Sequence, residues 1–97
     1  YDEALAIYRR LAEANPQTYL PDVAMTATNL SIFYLHAIPA REKSLDHCRE
    51  ALVAAIPFME VLPAAQNYAR TVLQVVEAWG LHGETFWEET LQMAEND

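Results

Sequence analysis

"NPQTYLPD" (Asn15–Asp22) and "IPFMEVLPA" (Ile56–Ala64) are the two stretches on which the fold turns. Each holds two prolines around a short mixed segment. The second prolines, Pro21 and Pro63, both follow a leucine and stand 42 residues apart. Proline pushes the residue before it out of the α region. In a first helical turn its missing N–H costs nothing. Each stretch therefore reads as a stop for one helix and a start for the next.

Working outward, apolar residues recur at helical spacing on both sides of each stretch. A first helix is expected over 2–14, with Ala4, Leu5, Tyr8, Leu11 and Ala12 on one face. Asp2 and Glu3 suit its N-terminus and Arg9 and Arg10 come later, as the helix dipole prefers. A second helix is expected over 20–37, burying Val23, Ala27, Leu30 and Tyr34, with Pro21 in its first turn and Pro39 beyond its end. A third spans 41–55 with Leu45, Cys48, Leu52 and Ala55 inside, and Pro57 ends it. The fourth, 62–79, carries Ala65, Ala69, Val72, Val76 and Trp79, then Gly80 in a left-handed cap. The fifth covers 84–95 and shows Phe86, Trp87, Thr90, Leu91 and Ala94.

Shifted by 42 residues, Val23, Ala27, Leu30 and Tyr34 fall on Ala65, Ala69, Val72 and Val76. Periods of 20–50 residues mark solenoids, in which each unit covers its neighbour's apolar face. The expected fold is all-α: about five antiparallel helices in a single domain over 1–97.

Composition narrows the function. At 97 residues the chain is one domain or less. Two glycines disfavour a turn-rich β fold, and the apolar run "ALVAAIPFMEVLPAA" is broken by Pro57, Glu60 and Pro63, so no segment reads as a membrane span. One cysteine, Cys48, excludes an internal disulfide framework and fits a reducing, cytoplasmic setting. The chain lacks an initiator Met and opens in a helical pattern, which points to an excerpt of something longer. Net charge is −8, and six acids (Glu77, Glu84, Glu88, Glu89, Glu95, Asp97) lie in the last 21 residues, which hold no Lys or Arg. That balance disfavours nucleic acid and anionic membrane as partners and allows a basic one. An acidic helix surface is also simply a soluble one.

The pattern resembles the tetratricopeptide repeat family. "NLSIFY" supplies Leu30, Ser31 and Tyr34 for the core of a first helix; Ser44 and Cys48 fill the small and aromatic slots of the second, and Pro57 closes the unit. "YDEALAIYRRLAEANP" is similar to a second helix, with Ala4, Tyr8 and Pro16. Val72, Leu73, Val76 and Gly80, then Thr85, fill the slots of a last, degenerate unit. The family's early tryptophan is absent, with Ala27 and Ala69 in its place, and Cys48 and Glu89 stand where an aromatic is usual. The longer period looks like the 42-residue variety of kinesin light chains and many bacterial repeat proteins. The resemblance implies an antiparallel helix-hairpin α-solenoid, a right-handed superhelix. Residues 1–16 would be the second helix of a truncated unit, 20–57 a full unit and 61–97 a terminal one.

It also implies a non-catalytic interaction or scaffold module that holds a peptide or protein segment in a concave groove, with no cofactor or metal. The groove face would be Met25, Thr28, Asn29, Ile32 and His36 on the second helix, and Asn67, Arg70, Thr71, Gln74 and Ala78 on the fourth. Asn29 fills the slot that in light-chain-like repeats bonds a peptide backbone. Arg70, the only base on its helix, suits a carboxylate. These positions are equally plain exposed helix residues. The alternative is a structural oligomerisation unit: Leu5, Tyr8, Leu11 and Ala12 would lack a preceding helix, and Phe86, Trp87 and Leu91 crowd an acidic one, so a homodimer through these faces is expected.

Catalytic and metal readings have little to stand on. His36, His47 and His82 share no metal-ligand spacing, and Asp46-His47-Cys48 lacks the Lys and Gly expected around a phosphotransfer histidine. Cys48 has His47 and Arg49 beside it, but its place on the apolar stripe reads as core. Glu88 and Glu89 are adjacent and point apart on a helix.

Overall fold

Proline and glycine set the helix boundaries, though not always as expected. The computed structural model describes residues 2–96, without the side chains of Asp2 and Asn96. Asp97, counted above among the C-terminal acids, and the N-terminal role given to the Asp2 carboxylate lie outside the described residues. Five α-helices follow in order: α1 (Asp2–Ala14), α2 (Pro16–His36), α3 (Arg41–Ala55), α4 (Pro63–Ala78) and α5 (Gly83–Asn96). A single 3-10 turn, Ile56–Phe58, follows α3, and no strand occurs among the described residues.

The two proline stretches, alike in sequence, differ in space. In the second, Leu62 is extended (φ −122°, ψ 115°) and Pro63 opens α4. In the first, Pro16 itself opens α2 behind a one-residue link, Asn15, whose side chain accepts from the Thr18 N–H. Pro21 therefore lies inside α2, not in its first turn, and α2 begins four residues before the expected start at 20. Asn15 wins because it caps: it is non-helical (φ −144°, ψ 77°) and turns the chain without further residues. At the other end Pro57 sits within the 3-10 turn instead of standing past the helix. Gly80 takes φ +86° after α4, and the Leu81 N–H reaches back to the Val76 carbonyl at 3.2 Å, which closes the helix as expected.

The core is built mainly from α2, α3 and α4. Val23, Ala27 and Leu30 of α2, Leu45, Cys48, Leu52 and Ala55 of α3, and Ala65, Ala69, Val72 and Val76 of α4 are all buried. α2 packs on α1, α3 and α4; α3 packs on α4 and α5; α4 packs on α5. Tyr34, expected between neighbours, is only half-buried: it meets Phe33 edge-on at 5.2 Å and stacks on His47 at 5.7 Å, with the Lys43 ammonium 5.4 Å from its ring.

A buried polar chain ties the three central helices together. Trp79 Nε1 donates to Ser44 Oγ at 2.8 Å, and Ser44 Oγ donates to the Ser31 carbonyl at 2.8 Å. Ser31 Oγ donates to the Thr28 carbonyl, and Thr28 Oγ1 to Ala24, each at 2.7 Å. Small residues at these positions let α2 and α3 approach closely, and every hydroxyl finds an acceptor.

Candidate interaction surface

Between α1 on one side and α5 on the other, an open apolar cavity of about 570 Å³ runs over α3 and the start of α2. Its apolar wall comes from Ala12, Leu20, Val23, Val53, Ala54 and Met93. Val53 and Met93 remain 44% and 56% exposed, unusual for apolar side chains that share one depression. The helix face that carries Phe86, Thr90, Met93 and Ala94 steps by four, three and one, and only its first half is covered by α3 and α4. Phe86 and Thr90 are buried, whereas Met93 and Ala94 are exposed.

Charges rim this cavity in pairs. Arg9 of α1 grips Glu50 of α3 through Nε and Nη2, both at 2.5 Å. Burial by itself would raise the Glu50 pKa, but the Arg9 guanidinium and the nearby His47 ring together more than offset it and bring the carboxyl to about 2. His47 Nδ1 stands 3.9 Å from Glu50, too far for a hydrogen bond, and has no other partner. Arg49 is held by Asp46 at 2.8 Å and lies over the Phe86 ring at 5.3 Å, joining α3 to α5. Glu13, also in the wall, forms no ion pair among the described residues.

The residues expected in the concave groove lie on α2 and α4, which pack against each other. Met25, Asn29 and His36 are exposed on α2 and Ile32 is half-buried. Thr28 is buried with its hydroxyl bonded to Ala24, so it is not available to a groove ligand. On α4, Asn67, Arg70, Gln74 and Ala78 are exposed and Thr71 is half-buried. Arg70 reaches Asn67 Oδ1 at 3.4 Å and lines a second open cavity with Met59, Glu60, Gln66, Leu73 and Trp87. No residue of α2 lines that cavity, so it does not unite Arg70 with Asn29.

The faces expected to drive self-association are largely occupied within the chain. Leu5 and Ala12 are buried, and Tyr8 is half-buried, on the side of α1 that meets α2. Phe86 is 5% exposed, and Trp87 and Leu91 are half-buried. Of the residues named for that role only Leu11 is exposed, beside Ile7. α1 thus needs no preceding helix to cover Leu5; α2 does it.

Cys48 and His82 have structural partners. Burial pushes the Cys48 thiol up to about 11, as befits a core residue. His82 precedes α5, with Nδ1 3.4 Å from the Thr85 N–H and its carbonyl accepting from Phe86, a helix N-cap. His36 is the exposed last residue of α2, and Ala37 caps that helix. Among the described residues no helix is long and apolar enough to cross a membrane.

The cavity went unforeseen because its walls come from four helices with no common period. One signal was present: Phe86, Thr90, Met93 and Ala94 fall on one helical face. Nothing matches the chain among protein-family models, curated proteins or solved structures.

Proposed function

We propose that the chain is a non-catalytic protein–protein interaction module, built from stacked helix hairpins of the tetratricopeptide kind, that holds a segment of a partner protein. The packing supports this reading: contacts run from each helix to its successor, and from α2 to α4 and α3 to α5. Stacked hairpins produce that order, because each unit covers only its neighbours. The observation that carries the function is the apolar cavity over α3, with exposed Val53 and Met93 in its wall. Its volume of about 570 Å³ is ample for the apolar side chains of a docked segment. The binding face we assign is therefore this one, in place of the α2–α4 surface.

The test is comparative. A photo-crosslinking residue at position 93 should capture a partner in extracts of the source cell. The same probe in a Val53→Gln background should capture little, with an unchanged helical circular dichroism spectrum. Equal capture in both backgrounds would rule the cavity out as the binding face.

A further inference from the structure

We infer that the occupant of this cavity is an amphipathic helix of a partner protein whose flanks carry Lys or Arg. The inference rests on the interaction reading above and adds the chemistry of the partner. The cavity is apolar within and open to solvent, and residues of α1, α2, α3 and α5 line it, with exposed Val53 and Met93 in its wall. A helix with apolar residues at i, i+3 or i+4 and i+7 lays such a row into a groove.

Charge selects among helices. The two bases in the wall are engaged by acids of the same chain: Arg9 by Glu50, and Arg49 by Asp46. Glu50, held at about 2, stays ionised throughout the neutral range, so the Arg9 pair is permanent there. The acid Glu13 has no ion-pair partner among the described residues. α5 lines the cavity with Thr90, Met93 and Ala94 and, away from that wall, carries exposed Glu84, Glu88, Glu89 and Glu95 and no base. The net charge of −8 extends this field over the whole molecule. An acidic helix is repelled, and so is a second copy of this chain; a basic helix is drawn in and finds an unpaired carboxylate.

The 97-residue chain can be titrated with three fluorescent helical peptides: one with an apolar row and Lys flanks, one with the same row and Glu flanks, and one scrambling the Lys peptide. The Lys peptide should bind about five-fold or more tighter than the Glu peptide at low salt, a margin that narrows as salt rises. Glu13→Lys should reduce that margin. Val53→Gln with Met93→Gln should weaken both ordered peptides while leaving thermal unfolding unchanged, since both positions are exposed. Equal affinity for the Lys and Glu peptides overturns the basic preference and leaves the cavity as an apolar docking site. Equal affinity for the scrambled peptide reduces the effect to unspecific charge attraction and overturns helix docking. Failure of both ordered peptides to bind overturns this inference and removes the support for the function proposed above. A concentration-dependent dimer that competes with the peptides would make a second copy the occupant and overturn the basic partner.

Discussion

Ser44 has more connections than its size suggests. Its hydroxyl accepts from Trp79, the residue just past α4, and donates to the Ser31 carbonyl of α2, and Ser44 itself has 0% exposure. Ser44→Ala removes one oxygen, leaves the partly buried Trp79 Nε1 without its acceptor and takes away the tie from α3 to the Ser31 carbonyl. The expected loss is about 1–3 kcal/mol in urea denaturation, against a near-neutral Asn67→Ala at an exposed position. A Ser44→Ala variant as stable as the wild type would mean that water replaces the hydroxyl. Glu50 makes a second prediction, about pH. Its folded pKa of about 2 lies below the ordinary value of 4.5. Its contribution to stability is therefore complete above about 4.5 and disappears as pH falls through about 2. With Arg9 half exposed, the effect should be on the order of 1–2 kcal/mol. Glu50→Gln should lower stability at pH 7 and flatten its fall between pH 5 and 2, as read by denaturation midpoints. Parallel pH profiles for the two proteins would show that the pair contributes nothing.

At the scale of the element, α2 contains a local contradiction. Pro21 sits within a 21-residue helix, where it has no N–H to offer the Gln17 carbonyl and its ring crowds that turn. Proline also restricts the unfolded chain, which offsets part of the cost. Pro21→Ala is expected to raise stability by about 1–2 kcal/mol, with a higher melting temperature and slightly more helical signal. A lower melting temperature would mean that the partly buried ring packs better than an alanine.

At the scale of the molecule, the radius of gyration is 12.5 Å with extents of 35 × 27 × 26 Å. That is the size of a compact globule of this length, about 12.5 Å. Leu5 and Phe86, which an extended stack would leave open at its ends, are inside. With those faces covered and a net charge of −8, the chain should sediment as a single 11.0 kDa species at micromolar concentration and low ionic strength. A stable dimer under those conditions would contradict this and direct attention to exposed Ile7 and Leu11.

The five helices and the central part of their buried stripes were legible in the sequence because helical periodicity is a local property, whereas Leu11, Tyr34 and Ala94, read with those stripes, are not buried. Leu45, Cys48, Leu52 and Ala55 share a face whatever they pack against, and Gly80 closes α4 through its own backbone freedom. Proline was legible only as punctuation. Whether Pro16 ends α1 or begins α2 depends on Asn15 turning the chain in a single residue, so the two similar stretches became different joints. Pairings between distant residues belong to the tertiary structure alone. Arg9 meets Glu50 41 residues away, Trp79 meets Ser44 across 35, and Val53 and Met93 come to share one cavity wall. None of these has a spacing that could announce it, since each depends on how far α1 and α5 stand from α3 once the small residues of α2, α3 and α4 have packed.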